Sequence, residues 1–181
     1  MGGRIDKMGK INRFLGAVSG REKRILSEIR DIVDVVKREC KSFEDLMYRV
    51  QVVRTRPYSR LSAFINSADL VSIKDFCTGK WEEKDAPLEV YEYLLKLGVC
   101  WEGEMIVVYR GGSKIKAGDW VALEYEYARW HGYPVYKKLV RLDEVLWAGT
   151  YEKEWYYVPW YLIGYFKDYR DFWETVKRYD C

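Results

Sequence analysis

A change of period near Trp101 constrains this chain more than any other feature of its sequence. Before it, apolar residues recur at three- and four-residue spacing; after it come short β-branched and aromatic runs bounded by glycine. From Arg21 to Cys40, the residues Ile25, Ile29, Ile32, Val33 and Val36 fall on one stripe and predict a single amphipathic helix. Ser42 followed by Asp45 has the form of a capping box and opens a second helix, which must end before Pro57. A third begins near Pro57, with Leu61, Phe64 and Ile65 on one face. The polar stretch from Cys77 to Asp85 reads as a loop, with Asp85 capping a helix that carries Pro87 in its first turn and stops at Gly98.

The second half reads as strands. Met105 to Tyr109 ends at Arg110-Gly111-Gly112, and the turn Gly118-Asp119 leads into a short strand from Trp120 to Leu123. A short helix is predicted from Glu124 to His131, strands near Val135 to Arg141 and Trp155 to Val158, and an aromatic-rich helical stretch from Gly164 to Tyr179. A length of 181 residues leaves room for one core. The expected fold class is therefore α+β: a helical part over 1–100 packed on a mixed, split β-sheet core over 101–181, with a C-terminal helix, in one domain.

Composition narrows the function classes. With 31 basic and 28 acidic residues the net charge is only +3, which disfavours a dedicated duplex-binding protein. No apolar run approaches the length of a membrane span and the first residues lack a signal-peptide core, so the expectation is a cytoplasmic protein without a membrane partner. Cys40, Cys77, Cys100 and Cys181 are scattered and His131 is the one imidazole, so no metal site is expected. The bias to Lys, Arg and Glu beside a single glutamine, Gln51, is that of proteins from hot environments, where intracellular disulfides occur; free buried thiols are the expectation here. The aromatic fraction of 17% calls for a use beyond packing.

Three pieces carry residue types suited to a nucleotide glycoside. Tyr109-Arg110-Gly111 places paired guanidinium donors beside a glycine that lets a ligand approach the backbone, or else a turn with a solvated charge. In the segment Lys116 to Gly132, Tyr127, Ala128 and Trp130 either pack inward or line a wall, or the aromatics of the segment form a surface on which a flat ring stacks. Glu152 and Glu154, if in a strand, share a face, where one carboxylate can accept from a sugar hydroxyl and stabilise positive charge; a charged strand entrance is the alternative. Met105 to Pro159 is thus the expected working cleft.

In this order the pieces resemble the ADP-ribosyltransferase fold, in the branch with Arg, then Ser-Thr-Ser, then Glu-x-Glu. The resemblance runs from about Tyr58, through Ile65-Asn66 and the helix from Pro87 to Leu97, to Pro159. Val121-Ala122-Leu123 stands where the family has Ser-Thr-Ser, and the Gly-Asp-x-Val then Tyr-Ala-Arg pattern is similar to divergent transferase-like domains of phage and mobile elements. The resemblance implies cleavage of the nicotinamide–ribose bond of NAD, with transfer of ADP-ribose to an unknown macromolecular acceptor. It implies Glu154 on a ribose hydroxyl, Glu152 orienting the acceptor, Arg110 on the NAD phosphates or ribose, and Tyr109, Gly111, Tyr127 and Trp130 around the ligand. The competing expectation is a binding module, inactive or unrelated, for a protein or for single-stranded nucleic acid held by aromatics and by Lys7, Lys10, Arg13, Arg21, Lys23 and Arg24; the balanced charge speaks against nucleic acid.

Overall fold

The computed structural model describes residues 18–101 and 103–179 and shows a mixed α+β fold. Of the basic residues expected to serve a nucleic-acid partner, Lys7, Lys10 and Arg13 lie outside the described residues. The predicted first helix is two: α1 (Gly20–Glu28), opened by a reciprocal cap between Ser19 and Glu22, and α2 (Arg30–Glu39). They break at Ile29, which is fully buried and leaves helical geometry without a glycine or proline, so packing rather than propensity sets the break. Ser42 caps α3 (Phe43–Val52) by accepting from the Asp45 amide, and α4 (Arg56–Asn66) follows.

A short helix, α5 (Ile73–Thr78), precedes the loop predicted over Cys77 to Asp85 and takes in its first two residues; it is closed at its ends by Ser72 with Asp75 and by Gly79 at φ 70°. Pro87, not Asp85, occupies the cap position of α6 (Leu88–Leu97), while the Asp85 carboxylate accepts from the Glu82 amide. Gly98 stops α6 at φ 72°, as its place after the apolar run requires. A disulfide joins Cys77, at the end of α5, to Cys100, correcting the expectation of free thiols for this pair; Cys40 is a buried free thiol.

The strands are β1 (Met105–Gly111), β2 (Trp120–Val121), β3 (Val135–Arg141), β4 (Val145–Trp147) and β5 (Trp155–Tyr157), with α7 (Tyr125–Trp130) after β2 and α8 (Tyr169–Arg178) near the end. One sheet has the order β1-β3 and the other β2-β5-β4, and a bridge between Tyr109 and Ala122 sets them edge to edge. The sheet is split as expected, but every described pairing is antiparallel, so it is not mixed.

Alternation along β4 and β5 explains how the helices share this sheet. Leu146 faces a core built by α1 to α4 and α8, including Leu26, Ile32, Val36, Leu61, Phe64 and Phe172. Val145, Trp147, Trp155 and Tyr157 face a second core with Ile73 and Phe76 of α5, Val90 and Leu94 of α6, and Val108 of β1. Each fully buried apolar side chain of this kind contributes roughly 1.5–3 kcal/mol. The sheet is therefore held from both sides, which fixes the faces on which β1, β2 and β5 present polar groups.

Candidate functional site

The register decides which sequence-predicted residues meet. Tyr109 bridges Ala122 with both backbone hydrogen bonds at 2.8 Å, and Val121 pairs with Trp155. Arg110, one residue past the bridge, therefore shares the face of Val108 and Val121, whereas Glu154, next to Trp155, turns to the other face. Arg110 and Glu154 do not converge on one cleft.

Arg110 is only 18% exposed. Its Nε donates to Ser113 Oγ at 3.0 Å and its Nη1 to the Trp120 carbonyl at 2.6 Å, so it ties the end of β1 to β2. Burial and the nearby Arg56 and Arg60 hold its pKa below the usual arginine range, against the pull of Asp119. Asp119, with no exposed side-chain surface, is the anion of this cluster. It accepts from Arg56 at 2.9 and 2.5 Å and from the Lys116 amide at 2.7 Å, with Arg60 at 3.8 Å. Arg60 also reaches the Ala117 carbonyl and Asp31, while its Nη2 is buried with no hydrogen-bond partner among the described residues.

Gly111 does not open the backbone to a ligand. A Cβ there would lie 2.2 Å from the Ala128 carbonyl and 2.5 Å from that of Gly132, so the end of α7 itself fills the space. Tyr109 stands edge-on to Tyr125, centroids 5.9 Å apart, beside a cavity of about 440 Å³ shared with Val135 and Lys137. Trp130 is 83% exposed and neither packs inward nor shares a wall with Tyr127, because it projects from the outer side of α7.

Tyr127 and Glu154 do meet. The Tyr127 ring lies 5.8 Å from Trp120, 5.0 Å from His131 and 6.1 Å from Tyr151, and Lys153 Nζ sits 5.5 Å over it. Its hydroxyl donates weakly to Glu154 Oε1 at 3.5 Å, while Thr150 Oγ1 donates to Oε2 at 2.6 Å. Burial, reinforced by Glu154, raises the Tyr127 pKa, keeping that hydroxyl a donor. Glu152 lies within a turn that Glu154 closes by donating its amide to the Tyr151 carbonyl, so neither sits in a strand; the Glu152 carbonyl accepts from Trp155 Nε1 at 2.9 Å. Glu124 accepts from the Tyr93 hydroxyl at 2.7 Å and pairs with Lys153 at 3.4 Å, which fastens this turn to α6 and to the start of α7.

The arrangement can do two things chemically: offer a flat ring a set of neighbouring rings, and set a carboxylate, oriented by two hydroxyl donors, beside it. Asp119, Arg56, Thr150 and Tyr151 were not singled out from the sequence. The Tyr127 and His131 spacing of four residues on one helix face was the legible signal for the ring cluster. No family model, curated protein or solved structure matches this chain. Among the described residues, no cluster could hold a metal ion and no helix is long and apolar enough to cross a membrane.

Proposed function

We propose that the chain is a divergent mono-ADP-ribosyltransferase that takes the nicotinamide–ribose end of NAD at Tyr127 and Glu154. The observation that carries this reading is adjacency: the three segments bearing the resemblance, far apart in sequence, lie side by side as β1, β2 and β5. The nicotinamide stacks against Trp120, Tyr127 and His131, and Glu154 accepts from a ribose hydroxyl while its charge stabilises the oxocarbenium-like transition state. The glycosidic C–N bond breaks with its electron pair passing to the nicotinamide nitrogen, and the acceptor nucleophile forms the new bond and gives up its proton. Glu152 orients that acceptor. Arg110, engaged by Ser113 and Trp120, acts as a positioning residue for β2 rather than as a phosphate ligand.

Incubation of the protein and cell extract with labelled NAD tests this: label should enter macromolecules with wild type and not with Glu154→Gln. Equal labelling by both would remove Glu154 from the mechanism.

Two observations favour a second reading, a transferase-like binding module without turnover. Arg110 and Glu154 face opposite ways, and the fully buried Ala122 offers no hydroxyl to order the acid. Salt-dependent binding of RNA or stable capture of a protein, without nicotinamide release, is its signature.

A further inference from the structure

Away from the ring cluster, beyond the other end of β5, α1 and the turn after Pro159 enclose a groove of about 620 Å³ lined by Arg21, Arg24, Ile25, Glu28, Trp160 and Tyr161. That volume falls in the range of small-ligand sites, roughly 300–1,000 Å³. Trp160 is 58% exposed, an unusual state for so large an apolar ring. Its position is nevertheless fixed: its amide donates to Glu144 Oε1 at 3.1 Å, and Tyr161 stands edge-on to it at 5.6 Å. Glu144 is itself buried and also accepts from the Arg141 amide, so the turn is anchored to the sheet.

The charges in the groove are sorted. Among the described residues neither the Arg24 nor the Arg21 guanidinium has an acidic partner, and Arg21 lies over the Tyr165 ring, 5.8 Å from its centroid. The neighbouring acid, Glu22, is already engaged by the Ser19 amide and by Arg178. Glu28, one turn past Arg24 at the end of α1, accepts from the hydroxyl of Tyr161 across the groove. Two guanidinium groups, a held ring and a separate carboxylate match a phosphate, a flat base, and an amino or hydroxyl donor, in that order.

We propose that this groove binds a nucleotide, its phosphate on Arg21 and Arg24, its base on Trp160 and a base amino group or ribose hydroxyl on Glu28. The nucleotide is either free or one unit of a single strand. The site is independent of the NAD reading, since it shares no residue with Tyr127 or Glu154.

The test titrates the full chain with AMP, read by calorimetry, and with a fluorescein-labelled single-stranded RNA, read by anisotropy. At least one probe should saturate, and Arg24→Glu and Trp160→Ala should each weaken it by about tenfold or more, with Glu154→Gln unchanged. RNA binding much tighter than AMP and falling with salt identifies a strand; similar affinities identify the free nucleotide. Both side chains are exposed, so far-ultraviolet circular dichroism should be the same in all variants. The proposal is overturned if neither probe saturates by about 1 mM, if both groove variants bind like wild type, or if only Glu154→Gln loses binding.

Discussion

Asp119 and Arg56 form a two-point ion pair across 63 residues of sequence, with the Asp119 side chain wholly withdrawn from solvent. Around it stand Arg60, 3% exposed and also paired with Asp31, and Arg110, so the Asp119 carboxylate lies among cations that join α4 to the ends of β1 and β2.

Removing that carboxylate takes the ion-pair partner from Arg56 and Arg110, while Arg60 keeps Asp31. Asp119→Ala should destabilise the protein by about 3–5 kcal/mol, seen as a lower urea midpoint. Arg56→Ala, at a site 36% exposed, should cost clearly less. Equal midpoints for wild type and Asp119→Ala would contradict the hub role.

Acid should act through Asp31. Its burial opposes ionisation, but hydrogen bonds and charge from Arg60 and Lys116 outweigh that and lower its pKa. A carboxyl depressed in the folded state contributes stability that is present above the unfolded pKa of about 3.9 and is lost as pH falls through the folded value. Asp31→Asn should therefore lower stability near neutrality and flatten the loss below about pH 4, as read by thermal melts across pH. An acid limb as steep as wild type would argue against the Arg60 pair.

The Cys77–Cys100 disulfide closes a loop with a sequence separation of 23. By the chain-entropy estimate its loss costs about 3 kcal/mol. Paired Cys77→Ser and Cys100→Ser substitution, or reductant, should shift urea unfolding by that order; no shift would mean the bond is absent in solution.

Gly111 tests the seating of α7. With the Ala128 and Gly132 carbonyls 2.2 and 2.5 Å from where a Cβ would stand, Gly111→Ala should cost about 1–3 kcal/mol and alter the near-ultraviolet aromatic signal as Tyr127 moves. Gly20→Ala, with nothing within 4 Å among the described residues, is the matched control and should be neutral or slightly stabilising.

Much of this was legible because it depends on local pattern. The strand Val135–Arg141, the left-handed stop at Gly98, and the buried stripe Ile25, Ile29, Ile32, Val33 and Val36 follow from period and glycine placement. The break at Ile29 was hidden because a buried isoleucine fits a continuous stripe equally well. Three-residue β4 carries no period of its own and exists through pairing with β5. The same limit applies at the site. Glu152 and Glu154 were visible as residues, but their turn, and the opposed faces of Arg110 and Glu154, are set by the bridge at Tyr109 and Ala122. Asp119 read as half of a Gly-Asp turn, since nothing local announces that Arg56 will reach it.

Nicotinamide release from NAD by the purified protein tests the central claim most directly. Wild type should release nicotinamide faster than buffer alone, Glu154→Gln should lose about 100-fold or more, and Tyr127→Phe should fall between them. Undiminished release by Glu154→Gln, or no release and no saturable NAD binding by wild type, would contradict it.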